Sequence, residues 1–301
     1  MIQWYPGHMH KAKKEFQKIL PQANLVIEVL DARIPYSSQD PLLAQLRKDK
    51  PCIKLLNKSD LADKNVLTAW QEQIEQDSSV KSLVCHHGDL APHNLPQLCR
   101  SLNPTRDNRS NVIYALISGI PNVGKSTLIN RLAGRNVAKT GNEAALTRMQ
   151  QRIEITPDFM LIDTPGMLWP KIENENSGYR LAATGAIRDT AIDFQDVAAY
   201  LAEFLLQHYP VLVQQRYRLE VIPHSGNELL DEIAKKRGCI VSGGRVDYEK
   251  VSRLLVSELR NGELGEICLE TPEMLSQELA ALEVINAEKA AKKAARLTSR
   301  K

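Results

Sequence analysis

The sequence predicts an α/β fold: a mostly parallel, doubly wound sheet followed by a smaller, all-helical domain. Three observations carry that expectation. In the first half, short apolar runs alternate with amphipathic segments, the pattern of strands joined by crossover helices. One of those runs, Val112–Ile117, leads into Gly119-Ile120-Pro121-Asn122-Val123-Gly124-Lys125-Ser126, a glycine-bounded turn that opens a helix. After Pro170 the apolar spacing changes to three and four residues, the period of helices packed on one another.

In chain order, strands are expected near Leu25–Leu30, Cys52–Leu56, Ser82–Cys85, Val112–Ser118, Arg152–Thr156 and Phe159–Ile162. Helices are expected over Met9–Leu20, Pro41–Lys48, Val66–Gln76, Leu95–Leu102 and Lys125–Ala133. The polar, proline-bearing stretch Asn103-Pro104-Thr105-Arg106-Asp107-Asn108-Arg109-Ser110 reads as the joint between two halves of the sheet domain. Glu173-Asn174-Glu175-Asn176-Ser177-Gly178 reads as a polar linker. Beyond it, Phe194, Val197, Ala198, Leu201, Phe204 and Leu205 share one helical stripe. Leu229, Leu230, Ile233 and Ala234 repeat the pattern, as do Val251, Leu254, Leu255 and Leu259. The expected organisation is a sheet domain over residues 1–172, a helical domain over 178–285 and a basic tail over 286–301.

With 301 residues, 43% hydrophobic and 25% charged, the chain can bury a sizeable core and has the balance of a soluble globular protein. No apolar run approaches the roughly 20 residues that span a bilayer. Lys11, Lys13 and Lys14 interrupt any N-terminal signal segment. The cysteines (Cys52, Cys85, Cys99, Cys239, Cys268) are scattered and lack Cys-x-x-Cys spacing, which fits a reducing cytoplasm and argues against a structural zinc. Net charge is only +3, so its distribution matters more than its sum. The tail holds Lys289, Lys292, Lys293, Arg296, Arg300 and Lys301 against the single acid Glu288. Such a segment can neutralise RNA phosphates or stand as a solvated tail, and both readings stay open.

The motifs carry the chemistry. In Gly119–Ser126, glycines let backbone N–H groups converge on phosphates, and the helix start adds positive potential. Pro121, Asn122, Val123, Gly124, Lys125, Ser126 and Thr127 are the candidate phosphate-binding residues, with Lys125 reaching the outer phosphates and Ser126 ligating magnesium. The run Phe159–Ile162 ends in Asp163-Thr164-Pro165-Gly166, which places a carboxylate where it can serve magnesium and a glycine N–H near a γ-phosphate. Asn57-Lys58-Ser59-Asp60 follows the strand Cys52–Leu56 directly. The Asp60 carboxylate can accept two hydrogen bonds from guanine N1 and N2, whereas adenine would leave it unpaired. That asymmetry disfavours a kinase or an ATPase.

These motifs occur in swapped order: Asn57 precedes Gly119, whereas in common GTPases the base-reading motif follows the phosphate loop. A doubly wound sheet tolerates the swap when its original termini lie close together. The chain therefore resembles the circularly permuted GTPases, and among them the branch acting in ribosome assembly. Trp4-Tyr5-Pro6-Gly7-His8-Met9, Asp31-Ala32-Arg33-Ile34-Pro35 and Arg237–Tyr248 carry the closer match, and only the basic tail lies outside it. The resemblance implies a circularly permuted P-loop GTPase domain that hydrolyses GTP with Mg²⁺.

The resemblance also assigns residues. Thr147, in the switch-like segment Gly141–Gln151, would be a second protein ligand to magnesium, although Ala144-Ala145 stands where the family has Pro-Gly. Met167 follows Asp163–Gly166 where Ras-like enzymes carry a water-orienting glutamine, and a thioether cannot do that work. The family likeness transfers the role to His8; the alternatives are a residue that merely starts the helix or contacts RNA. Asn122 resembles a potassium ligand in GTPases lacking the glutamine, the alternative being an asparagine that braces the loop. Cys85-His86-His87-Gly88 stands where relatives back the base with Ser/Asn-Ala, so Cys85 and His86 would offer backbone N–H groups to guanine O6. His8, Lys125, Thr147 and Gly166 form the expected catalytic set.

The expected function is a cytoplasmic GTP hydrolase controlling assembly of the large ribosomal subunit, with its precursor and rRNA as partners and no membrane or DNA. Lys11, Lys13, Lys14 and Lys18 on the N-terminal helix support the RNA contact. Met167 keeps open a nucleotide-gated RNA-binding protein with negligible hydrolysis. Because Asp163–Gly166 leads straight into the helical domain, nucleotide state is expected to tilt that domain.

Overall fold

Leu25–Asp31 (β1) is buried at every position because it lies in the middle of a six-stranded sheet, between Cys52–Asn57 (β2) and Ile113–Gly119 (β4). A strand covered on both faces reads as a continuous apolar run, as β1 does. The computed structural model describes residues 2, 4–86, 94–102, 112–138 and 151–298. With Val80–Val84 (β3), Gln151–Thr156 (β5) and Phe159–Asp163 (β6), the sheet order is β3-β2-β1-β4-β6-β5. All neighbours are parallel except the edge pair β5–β6.

The chain therefore builds one half of the sheet outward from β1, then returns to its centre at β4 and builds the other half. Ligands of open α/β sheets bind at such a reversal, outside the carboxyl ends of the strands. The register lines up those ends: Asp31 pairs with Asn57, Val29 with Gly119 and Ile117 with Asp163. The three motifs thus emerge along one edge.

Among the described residues, five helices accompany the sheet: Gly7–Ile19 (α1), Pro41–Arg47 (α2), Lys64–Ile74 (α3), Asn94–Leu102 (α4) and Lys125–Ala133 (α5). Asp40 caps α2 by accepting from Leu42 N at 2.9 Å, and Asp63 caps α3 from Asn65 N at 2.9 Å. The helical region holds Glu175–Ala183 (α6), Phe194–His208 (α7), Pro210–Tyr217 (α8), Gly226–Arg237 (α9), Tyr248–Arg260 (α10) and Pro272–Thr298 (α11). The expected stripes lie on α7, α9 and α10, which bury Val197, Leu201, Leu229, Ile233, Val251 and Leu255 against one another.

Strand alternation divides the apolar interior in two. Leu25, Ile27 and Val29 belong to a cluster that continues into the helical region through Leu181, Leu201 and Leu259. Val26 and Leu30 belong to a second cluster with Phe16, Leu116, Ile162 and Met167. The first cluster joins the two regions, while the second lies almost wholly within the sheet region.

Two expectations need correction. The polar stretch Glu173–Gly178 is not a linker, because α6 begins at Glu175. Asn174 caps it through Asn176 N at 3.0 Å, and Asn174 and Asn176 both donate to Glu278, at 2.6 and 2.9 Å. These side chains are satisfied by a cap and a carboxylate rather than by solvent. The tail is also not a separate element, since α11 runs unbroken through residues 285 and 286. Lys289 and Lys292 are exposed on it. The joint over 103–110 lies outside the described residues.

Candidate active site

The phosphate loop is shaped by two residues in the left-handed region. Asn122 has φ 59° and Gly124 has φ 94°. Asparagine tolerates that region, and glycine enters it freely. Contact as well as φ requires the second glycine, because a Cβ at Gly124 would collide with Asn57 Nδ2. A Cβ at Gly119 would lie 2.7 Å from the Val29 carbonyl oxygen, so the loop leaves β4 hard against β1. The helix that follows, α5, receives no side-chain cap among the described residues, and N–H groups in such a first turn suit an anion.

Asn57 joins the Asn57–Asp60 turn to this loop. Its Nδ2 donates to the Val123 carbonyl at 2.7 Å, across 66 residues of sequence. Its Oδ1 accepts from the Cys85 Sγ at 3.5 Å. Cys85 is held in turn by its own N–H to the Leu56 carbonyl at 2.9 Å, while its carbonyl accepts from Ser59 N at 3.2 Å. One asparagine thereby fixes the phosphate loop, the Asn57–Asp60 turn and the Cys85–His86 segment against each other. Lys58 opens the turn at φ 61°, and Asp60 is exposed on the short 3₁₀ turn Ser59–Leu61.

Lys125 and Asp163 form a buried ion pair, 6% and 0% exposed. The other carboxylate oxygen, Asp163 Oδ2, is buried with no hydrogen-bond partner among the described residues. Burial raises the Asp163 pKa, and the Lys125 charge offsets that only in part. A desolvated carboxylate with an oxygen left over beside the Lys125 pair fits a hard divalent cation, and Ser126 lies in the first turn of α5 next to Lys125. Gly166 lies against the loop, since a Cβ there would be 3.2 Å from Pro121 Cα. Thr164 ties the Asp163–Gly166 turn to β4 by donating its hydroxyl to the Ile117 carbonyl at 2.8 Å.

The structure thus brings together Asn57, Lys58, Asp60, Cys85 and His86 on one side and Pro121, Asn122, Val123, Gly124, Lys125, Ser126, Thr127, Asp163 and Gly166 on the other. Thr147 lies outside the described residues, as do His87 and His93. His8 lies in α1, and its side chain is outside them too. Met167 is 4% exposed and packed in the apolar core. Asn122 donates Nδ2 to the Gly185 carbonyl at 2.8 Å, between α6 and α7. That contact to the helical region was not foreseeable from a loop motif.

Comparison with known proteins agrees with this geometry. The family description "50S ribosome-binding GTPase" matches residues 114–217, which include the phosphate loop and Asp163–Gly166. Asn57–Asp60 falls before the matched stretch, as a permuted chain requires. Ribosome biogenesis GTPase A of Bacillus licheniformis is 44% identical over 91% of this chain and 99% of its own length. The chain belongs to the ribosome biogenesis GTPase A family. The counterpart from Bacillus cereus is 41% identical over 95% of this chain and 99% of its own length. A structure titled as the GDP-bound form of Thermotoga maritima YlqF aligns with a TM-score of 0.63 at 26% identity, covering 86% of this chain and 99% of that one. The chain is accordingly a GTP-hydrolysing enzyme of the P-loop class with a circularly permuted nucleotide-binding domain.

Proposed function

We propose that this GTPase acts in the cytoplasm as a nucleotide-controlled assembly factor for the large ribosomal subunit, binding rRNA in its precursor particles. The family description matched by residues 114–217 carries the subunit reading. The surface supports the RNA reading. Lys235, Lys236 and Arg237 end α9, and the following turn leads to Arg245 and Lys250. Ile240, Val241 and Tyr248 are exposed among these cations, at 39%, 40% and 42%. Cations neutralise phosphates, while exposed apolar and aromatic faces accept unpaired bases. Exposed Lys14 and Lys18 on α1 add charge.

Guanine would lie between Asn57–Asp60 and the Cys85–His86 backbone, with the phosphates over Pro121–Thr127. Ser126, Asp163 and Thr147 would hold Mg²⁺, which supplies charge neutralisation during phosphoryl transfer. Lys125, now paired with Asp163, would turn to the phosphates, and the Gly166 N–H would meet the γ-phosphate. Because Met167 offers no hydrogen-bonding side chain to a water, His8 would orient the attacking one. The Asn122 amide nitrogen is engaged by Gly185, so a potassium ion would take its oxygen. Because Asn122 touches the helical region, a change at the phosphates would reach α6 and α7 directly.

Sedimentation of the protein with purified large and small subunits, in a GTP analogue and in GDP, tests the reading. Co-sedimentation with large subunits that depends on the analogue supports it. Equal recovery with both subunits in both nucleotides would sink it.

A further inference from the structure

The Asp31-Ala32-Arg33 segment takes no part in the chemistry above, yet it is built around the base-reading loop. Asp31 ends β1 in register with Asn57, and the Ala32 N–H donates to the Asn57 carbonyl at 2.8 Å. The Asp31 carboxylate accepts from Lys58 Nζ at 3.0 Å. It also accepts from Arg33 Nε at 2.9 Å, Arg33 Nη2 at 2.8 Å and the Arg33 N–H at 3.1 Å. Arg33 is 1% exposed and is fixed from behind by the helical region. Its Nη1 donates to the Leu259 carbonyl at 3.3 Å, and its own carbonyl accepts from Leu269 N at 2.8 Å.

We propose that Asp31 and Arg33 are positioning residues for the guanine-reading loop, pinning the Lys58 ammonium so that the loop is set before nucleotide arrives. The proposal rests on the assignment of Asn57–Asp60 as that loop. A lysine in the left-handed region, with its side chain 20% exposed, has a long stem and many rotamers to lose. Anchoring both ends of the stem, the backbone on β2 and the ammonium on Asp31, leaves it one path. A nucleobase then meets a surface already ordered, and binding does not have to order it. The charges agree with this arrangement. Against the burial that would raise it, Arg33 and Lys58 hold the Asp31 carboxyl well below the usual range, so it stays ionised. Arg33 is the partner that Lys58 cannot replace, because its planar fork takes both carboxylate oxygens at once.

The test is a thermodynamic cycle on the full chain, read as affinity for a fluorescent GDP analogue. Arg33→Lys keeps a cation beside Asp31 but cannot span the carboxylate and the Leu259 carbonyl together. It is expected to weaken GDP binding about fivefold to tenfold, the scale of one side chain's ordering. Asp31→Asn is expected to weaken it further, but it leaves a buried guanidinium without its carboxylate. Arg33→Lys therefore keeps the test valid if Asp31→Asn does not fold. In a Lys58→Met background, neither change should cost more than about twofold, because there is no ammonium left to position. Parent-like affinity in Arg33→Lys, or losses that add fully to that of Lys58→Met, would overturn the proposal. A parent chain that binds ADP as well as GDP would instead remove the base-reading assignment, and the proposal with it.

Discussion

Asn57→Ala isolates the contact that ties the Asn57–Asp60 turn to the phosphate loop. The change removes the donor to the Val123 carbonyl, a 2.7 Å bond to a residue 1% exposed, and the acceptor for the Cys85 thiol. Leaving a buried carbonyl unsatisfied costs about 1–3 kcal/mol. The bond ties β2 to the turn before α5, so part of that cost falls on the fold and the rest on shaping the phosphate loop. If all of it fell on binding, GDP affinity would drop about 5- to 150-fold. Asn57→Asp is the sharper variant: its volume is nearly unchanged, but an acceptor would face the carbonyl. Titration with a fluorescent GDP analogue, paired with urea unfolding with and without GDP, separates the two shares. Asn57→Asp should bind more weakly than Asn57→Ala, and both should gain less stability from GDP than the parent. Parent-like affinity and an unchanged urea midpoint in Asn57→Ala would refute the idea that this side chain joins the two motifs.

Gly124→Ala forces a left-handed φ on alanine and drives its Cβ into Asn57 Nδ2, so nucleotide binding should fall by at least as much as in Asn57→Ala, checked by the same titration. Asp163→Asn removes the charge that fits a divalent cation. GDP binding by the parent should strengthen with added Mg²⁺, and calorimetry on the variant should show that gain lost. Glu28, buried on β1, has its carboxyl pushed up to about 7 by desolvation, above the ordinary 4.5. The folded state therefore holds a proton that the unfolded chain has released, and stability falls as pH rises from 4.5 through 7. The full cost above that window is about 3 kcal/mol, so Glu28→Gln should raise urea stability at pH 8 and leave it nearly unchanged at pH 4.5. Arg180→Met strips both Glu270, 0% exposed, and Glu278 of their guanidinium, and should lower unfolding stability by about 3–5 kcal/mol in urea melts.

Much of the sheet was legible because its central strands are short apolar runs closed by turns, whereas the edge strand β5 buries only Ile153. Lys125–Ala133 starts and stops where glycines flank it, at Gly124 and Gly134, both in the left-handed region. The Glu173–Gly178 stretch was misread for a physical reason. Its polar side chains look solvated in sequence, but Ser177 and Gly178 are buried and the asparagines bond to Glu278, about a hundred residues away. The same blindness hid Glu270, which accepts from Tyr36 N and Ser37 N at 2.5 and 2.9 Å and is unremarkable in the linear chain. An aspartate two residues before an arginine at a strand end was the one visible signal of the Asp31–Arg33 strut.

The linear chain by itself specified the local architecture: a glycine-bounded turn between strand and helix, a polar turn after β2 and a carboxylate ending β6. Each depends on neighbours a few residues away, whose backbone geometry travels with the sequence. Folding alone decided that Asn57 grips Val123, that Asn122 reaches Gly185 and that Arg33 leans on Leu259, 226 residues on. Those bonds are long-range and desolvated, and burial is a property no short stretch of sequence possesses.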